Sequence, residues 1–145
     1  MKIVKATLND LESVTELFDL YRIFYKQKSD IEGARDFIQG RLTSEDSVIF
    51  IALEGENAVG FIQLYPSFSS VGMKRIWILN DLYVKESVRG KGFGEKLMKK
   101  AIEFAKDTEA KGVLLETAAD NLGAQKLYEK VGFTKETTYF YFYSI

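Results

Sequence analysis

The stretch that decides the fold runs from Leu79 to Gly94 and reads Leu-Asn-Asp-Leu-Tyr-Val-Lys-Glu-Ser-Val-Arg-Gly-Lys-Gly-Phe-Gly. It predicts an apolar strand, then a loop with three alternating glycines, and then an amphipathic helix. Glycines let the backbone turn its N–H groups towards a ligand, and a helix N-terminus adds unpaired donors. Because Arg89 and Lys91 add cations at its rim, the loop is predicted to bind phosphate.

The composition narrows the chemistry that this chain can perform. Its 145 residues are typical of one domain, residues 1–145, and a net charge of −1 gives no support for a nucleic-acid partner. The chain has no cysteine and no histidine, which excludes disulfides, thiolate catalysis, a Ser-His-Asp triad and the usual zinc ligands. We therefore expect no metal. We also expect any proton transfer to go through carboxylates, tyrosines, lysines or water.

The location of the protein is predicted from its apolar segments. The amino terminus, Met-Lys-Ile-Val-Lys-Ala-Thr, has no apolar core of a signal sequence, and no later run approaches the length of a membrane span. We expect a cytoplasmic protein with no membrane partner.

The rest of the chain alternates helical and strand patterns. Helices are predicted near 9–26, 30–43, 92–110 and 121–131, and strands near 2–7, 47–53, 58–65, 73–84 and 113–118. This order predicts one α+β domain with a mixed, mostly antiparallel sheet and about four flanking helices. A βαβ crossover is expected between the last two strands.

Four local expectations accompany this topology. Asn9 is predicted to cap the first helix, and Pro66 to close a hairpin strand and open a flexible loop. The apolar run 113–118 is typical of a strand covered on both faces. The strongly β-prone tail, 137–143, is expected to be paired or covered, and pairing across a homodimer is one way to achieve this.

Three phosphate-binding patterns compete for the glycine loop. A Walker A loop does not match, because Gly94 is followed by Glu95. A dinucleotide fingerprint begins at Gly92 and Gly94, and Glu116 lies at a suitable distance to hold a ribose, but Leu97 replaces the third small residue. The third pattern is Arg-x-x-Gly-x-Gly, which begins at Arg89.

This third pattern has a companion downstream, Asn121-x-x-Ala124-x-x-x-Tyr128-x-x-x-Gly132-Phe133. With the strand end Asp81-Leu82-Tyr83-Val84, the two motifs make the chain resemble the GNAT acyl-CoA-dependent N-acetyltransferases over nearly its whole length. Within that family it looks most like the polyamine and histone acetyltransferase subgroup. The resemblance implies acetyl transfer from acetyl-CoA to a primary amine acceptor such as a small amine, a polyamine, an amino acid or a protein lysine. A non-catalytic acyl-CoA-binding module is the alternative.

The resemblance also implies roles along a cofactor groove. Backbone amides of the glycine loop would bind the pyrophosphate, and main-chain groups of the preceding strand would bond the pantetheine arm and stabilise the oxyanion. The residues concerned are Leu82, Tyr83, Val84, Arg89, Gly90, Lys91, Gly92, Phe93, Gly94, Glu95, Asn121, Ala124 and Tyr128.

The resemblance favours a catalytic role for Tyr128, and the candidate bases and acceptor contacts are chosen from their positions beside the predicted groove. Tyr128 is the candidate general acid for the departing thiolate, and Asp81 and Glu116 are the candidate general bases, acting directly or through water. Acceptor contacts are expected from Tyr21, Tyr25, Asn80 and Asp81. Polyamine-acetylating relatives tend to carry a carboxylate where this chain has Asn80, which argues against a polycationic acceptor. Since no cysteine can carry an acyl group, direct attack in a ternary complex is expected.

Overall fold

The computed structural model describes every residue from Met1 to Ile145 and contains one five-stranded sheet. The first four strands are antiparallel neighbours in chain order, and the fourth pairs with the fifth in parallel. The strands are β1 (Lys2–Lys5), β2 (Val48–Glu54), β3 (Asn57–Ser69), β4 (Lys74–Val84) and β5 (Val113–Leu114). The predicted α+β class with a mixed, mostly antiparallel sheet is confirmed.

Four α-helices flank this sheet, as predicted. They are α1 (Leu11–Phe24), α2 (Ile31–Ser44), α3 (Phe93–Asp107) and α4 (Leu122–Val131). Helix α3 joins the parallel strands β4 and β5, so it forms the expected βαβ crossover. None of the helices is long and apolar enough to cross a membrane.

The alternating side chains of the strands divide the core into two layers. Phe50 and Ala52 of β2 pack with the apolar face of α3, whereas Ile49 and Ile51 pack with α1 and α2. Successive strand residues point to opposite faces of a sheet, so these two clusters lie on its two sides. Both sides of β2 and β3 are therefore covered by helices.

The first helix begins differently from the prediction. Asn9 does not cap it; a short 3₁₀ turn over Leu8–Asp10 comes first, and the side chain of Thr7 accepts a hydrogen bond from the backbone N–H of Asn9 at 3.2 Å. Asp10 returns a bond to the backbone N–H of Thr7 at 2.9 Å. Thr and Asn are both favoured as cap residues, so residue type alone does not distinguish them. The 3₁₀ turn over Leu8–Asp10 places Thr7 at the cap position.

Pro66 does not close its strand, contrary to expectation. β3 continues to Ser69, and Pro66 pairs with Trp77 of β4. The neighbour on the other side, β2, stops pairing at Leu64. Beyond that point β3 has a strand on one side only, so a proline can be placed there without removing a needed N–H donor.

The predicted strand over 113–118 is much shorter in the structure. Only Val113 and Leu114 pair with β4, and Leu114 is 39% exposed rather than covered. The β-prone tail also differs from the prediction: it forms no strand, and Tyr139 and Tyr141 are 88% and 96% exposed. The single chain leaves both segments without the neighbours that their sequences favour.

Candidate active site

The site is created where β4 separates from β5. The two strands pair only at Trp77 with Val113 and Ile78 with Leu114, whereas β4 stays paired with β3 as far as Val84. A β-bulge at Asn80 interrupts the register on the β3 side, and bulges bend the strand that carries them. The edge of β4 facing away from β3 is consequently without a strand partner beyond Ile78.

A groove of about 500 Å³ follows this separation. It is bounded by the end of β4, the glycine loop with the start of α3, the first turns of α4 and the end of α1. Its lining residues are Phe24, Tyr25, Leu82, Tyr83, Val84, Val88, Arg89, Gly90, Gly92, Phe93, Gly94, Glu95, Asn121, Gly123, Ala124, Leu127, Tyr128 and Lys130.

The glycine loop presents a row of backbone donors to this groove. Gly90 and Gly92 have φ values of 82° and 87°, in the left-handed region that favours glycine. The first backbone bond of α3 runs from the N–H of Lys96 to the carbonyl of Gly92 at 3.1 Å. None of the six N–H groups from Gly90 to Glu95 donates to a protein acceptor. Unpaired donors at a helix N-terminus form a ready anion-binding site.

The two cationic side chains of the loop, Arg89 and Lys91, are placed differently with respect to these donors. The guanidinium of Arg89 lies over the rings of Tyr83 and Phe24, at 5.5 and 5.4 Å from their centroids. Its Nε donates to the carbonyl of Val84 at 2.9 Å, so this carbonyl is already engaged. Lys91, in contrast, turns away from the groove, with its Nζ 3.8 Å from a carboxylate oxygen of Glu54.

The carboxylate of Glu95 stands beside the same donors but is neutralised by two cations. The Nζ atoms of Lys130 and Lys99 each lie 3.4 Å from its oxygens. The hydrogen bond from Lys130 is the main cause that lowers the pKa of Glu95 below its ordinary value. Lys130, from the end of α4, thus balances a negative charge that would otherwise oppose an anion at the loop.

Helix α4 holds Tyr128 against the opposite wall of the groove. Its N-cap is Asn121, whose side-chain oxygen accepts from the N–H of Ala124 at 3.3 Å. The N–H of Phe133 donates to the carbonyl of Tyr128 at 2.9 Å, which ties the helix end to the ring beside it. Burial raises the pKa of the Tyr128 phenol, with a smaller contribution from Tyr25. Tyr128 is therefore fully protonated at neutral pH.

A buried carboxylate lies on the strand that forms the floor of the groove. Asp81 is only 4% exposed and accepts hydrogen bonds from Gln63 at 2.6 Å and from Asn80 at 3.1 Å. Gln63 in turn accepts from the hydroxyl of Ser47 at 2.9 Å. Burial raises the pKa of Asp81 above its ordinary value, and the hydrogen bonds, led by that from Gln63, oppose the rise.

Aromatic side chains from the end of α1 cover this carboxylate. The Tyr21 hydroxyl donates to the carbonyl of Asn80 at 3.4 Å, and its ring lies 5.0 Å from that of Tyr25. Burial and the negative charge of Asp81 raise the pKa of Tyr21. Tyr25 is 54% exposed and contacts Phe24, whose ring is 5.3 Å away, so this wall is open to solvent on one side.

The structure brings most of the predicted residues to one place. The predicted cofactor residues line the groove, except Lys91, and Tyr25 lines it with them. Asn80 and Tyr21 form a neighbouring cluster around the buried carboxylate of Asp81. Glu116 is exposed, makes no hydrogen bond and is not part of the groove wall.

Sequence reasoning did not assign five residues of the lining to the site. Leu127 had a signal, since it lies on the apolar face of the helix that carries Tyr128 and could have been placed beside it. Phe24, Val88 and Gly123 are chain neighbours of predicted site residues, whereas Lys130 reaches the groove only through tertiary structure. The five residues are Phe24, Val88, Gly123, Leu127 and Lys130.

Acyl-CoA-dependent N-acetyltransferases share this fold, and the comparisons with known proteins assign the chain to that enzyme class. The model of the Acetyltransferase (GNAT) family matches residues 14–133, and the chain belongs to that family. The GNAT resemblance seen in the motifs is thereby confirmed, and the family uses acetyl-CoA as acyl donor.

Individual relatives agree with this assignment. The chain is 44% identical over 142 residues to the uncharacterized N-acetyltransferase YhfO of Bacillus subtilis (strain 168), covering 98% of this chain and 95% of that protein. It is 34% identical over 119 residues to a probable acetyltransferase of Haemophilus influenzae, covering 81% and 82%. A crystal structure of a probable acetyltransferase has a TM-score of 0.95 at 42% identity, covering 100% of this chain and 98% of that chain.

Proposed function

We propose that the whole chain, residues 1–145, acts as one catalytic domain that acetylates a primary amine with acetyl-CoA in the groove beside β4. The observation that carries the proposal is the row of six backbone N–H groups, Gly90 to Glu95, that have no protein acceptor. A pyrophosphate supplies acceptor oxygens for such a row, and the partial positive charge of the α3 N-terminus attracts it. No metal ion is needed to hold it there.

The pantetheine arm would lie along the unpaired edge of β4. Main-chain groups from Leu82 to Val84 face the groove on the side where β5 has separated. An extended amide-containing chain can bond such an edge as an added strand does. Because Arg89 occupies the carbonyl of Val84, binding at this point requires the guanidinium to move. The same movement would make Arg89 available to a phosphate.

Tyr128 is the general acid in this proposal. When the amine nitrogen bonds to the thioester carbon, the carbon–sulfur bond breaks and the electron pair leaves with sulfur. A simple thiol has a pKa of about 8.5, so the leaving thiolate accepts a proton at neutral pH. The Tyr128 phenol carries one, since burial raises its pKa. Solvent then returns a proton to the phenolate, which completes the cycle.

Asp81 is our choice of general base, acting directly or through one water. An alkylammonium has a pKa of about 10.4, so most of the acceptor arrives charged and must lose protons before and during attack. A carboxylate of raised pKa is a better proton acceptor than an ordinary one, and burial raises the pKa of Asp81. Glu116 stays the alternative base. Neither carboxylate is a lining residue of the groove, but Asp81 is buried and directly precedes the lining residues of β4, whereas Glu116 is exposed and makes no hydrogen bond.

The acceptor would approach between Asp81 and the aromatic wall of α1. The rings of Tyr21 and Tyr25 stand 5.0 Å apart in an edge arrangement above the carboxylate cluster. Aromatic faces attract ammonium groups, and a buried carboxylate adds a second attraction. The Asn80 side chain that donates to Asp81 is a neutral amide, so Asp81 is the only carboxylate of this pair and supplies a single negative charge. This favours an acceptor with one cationic amine over a polycation. Holding donor and acceptor together supplies much of the rate acceleration.

Replacing Gly92 by alanine tests the phosphate loop. Alanine in the left-handed region costs about 1–2 kcal/mol, so the free loop of Gly92→Ala is expected to relax into another conformation. Binding would have to restore the left-handed conformation, which should raise the Kd for acetyl-CoA about tenfold by calorimetry. The matched control is Gly40→Ala, because Gly40 lies in α2 with open space around it and a φ that is not positive. The control should bind acetyl-CoA with unchanged affinity, and equal Kd values for both variants would contradict the proposed loop.

A Tyr128→Phe variant tests the general acid. We expect kcat, measured as coenzyme A release with the best amine of a panel, to fall about a hundredfold while the Kd for acetyl-CoA changes little. Tyr65→Phe is the control, since burial raises the pKa of this β3 tyrosine to about 12 but Tyr65 lies outside the groove. An unchanged kcat in Tyr128→Phe across pH would remove the assignment.

The two candidate bases are separated by Asp81→Asn and Glu116→Gln. A base works deprotonated, so the native rate should fall as pH drops through the raised pKa of Asp81. Asp81→Asn should lower kcat/KM for the amine about a hundredfold and remove that acidic decline, whereas Glu116→Gln should keep both. Full activity in Asp81→Asn together with a loss in Glu116→Gln would transfer the role to Glu116.

A further inference from the structure

The carboxyl-terminal segment, residues 134–145, extends from the domain and is exposed along its whole length. It forms no helix or strand, and no backbone or side-chain hydrogen bond involves any of its residues. Its aromatic run is almost fully exposed, from 69% to 96%. The five aromatic residues of the run are Tyr139, Phe140, Tyr141, Phe142 and Tyr143. A continuous exposed apolar run of this kind marks an interaction site or an aggregation hazard.

The outer edge of β5 is a second feature left without a neighbour. β5 is the last strand of the sheet, and only two of its residues pair with β4. The chain from Leu115 to Thr117 has no backbone hydrogen bond, although Val113–Ala118 is almost continuously apolar. Such a run is typical of a strand with neighbours on both sides, and its polar backbone groups are free to bond an added strand.

We propose that these two features satisfy each other between two copies of this chain. The carboxyl-terminal segment of each copy adds to the open β5 edge of the other, which completes both sheets about a twofold axis. The segment is rich in the aromatic and threonine residues that favour strands, and it carries no charge from Thr137 to Ser144. Seven extended residues, 137–143, span roughly 23 Å, which exceeds the length of the 113–118 edge.

Two observations favour a second copy over the segment's own domain. Within one chain the segment stays exposed while the β5 edge is open, so the two do not pair in the single chain. A twofold arrangement uses the same edge and the same segment on both subunits, so both copies gain the same strand pairing. Only Glu116 carries a charge on the 113–118 edge, and the strand-forming part of the segment has none to repel it.

The aromatic side chains offer enough apolar area for a stable dimer. At roughly 150–250 Å² each, full burial of the five from each of two copies would remove at most on the order of 1,500–2,500 Å² from water. Stable protein–protein interfaces bury about 1,200–2,000 Å². This inference concerns assembly and holds whether or not the proposed catalytic roles are correct.

A matched pair of lysine substitutions tests the interface. Tyr141 and Val71 are both 96% exposed in the single chain, so a lysine at either position costs the monomer little. Light scattering should give the native protein twice the 16.5 kDa chain mass. Val71→Lys should form a dimer with the same dissociation constant as the native protein, whereas Tyr141→Lys should raise that constant at least about thirtyfold. A monomeric native protein, or equal dissociation constants in the two variants, would overturn the proposal.

Cross-linking then shows which chain supplies the strand. The native sequence has no cysteine, so introduced thiols react alone. Thr117→Cys is mixed with Thr138→Cys or with Ser144→Cys, one mixture for each strand direction, and treated with a short bismaleimide. We expect one mixture to give a linked product of two chains, because paired strands lie about 4.8 Å apart. Linkage within single chains of the corresponding double variant, with none between chains, would refute strand exchange.

Discussion

The parting of β4 from β5 is the constraint on which the rest of the structure depends. Two residue pairs, at Trp77 and Ile78, join the strands, and α3 spans the crossover between them. Where the two strands are paired, both contribute side chains to the core cluster that packs against α3. After Ile78, β4 stays paired with β3 only, and β5 has no strand partner. The separation opens the groove between the two strands. The outer edge of β5 is open as well, because β5 is the last strand of the sheet. This end of the sheet thus provides both the proposed donor site and the proposed dimer contact.

The chemistry proposed for the groove relies on buried side chains with raised pKa values. Without histidine or cysteine, the chain has an aspartate and a tyrosine whose pKa values both rise because they are buried. The rise makes Asp81 a stronger base and keeps Tyr128 protonated, so the two groups are suited to opposite proton transfers. Keeping the Asp81 carboxylate charged in this setting requires donors, and Gln63 and Asn80 supply them.

Local sequence predicted what depends on near neighbours along the chain. The glycine loop and the succession of strands and helices follow from spacing and residue type. The extent of β3 past Pro66 did not, because it depends on where β2 stops pairing. The shortness of β5 depends likewise on its separation from β4. Lys130 reaches Glu95 across 35 residues, so no local pattern could place it in the site.

In the proposed enzyme, the Gly90–Glu95 amides hold the coenzyme A pyrophosphate. Backbone amide signals of isotope-labelled protein, followed during titration with coenzyme A and with pantetheine, test it directly. Coenzyme A should shift these six signals and slow their exchange with solvent, whereas pantetheine, which lacks the pyrophosphate, should perturb the β4 edge at Leu82–Val84 and leave them unchanged. Saturating coenzyme A that binds without altering the Gly90–Glu95 signals would contradict the account.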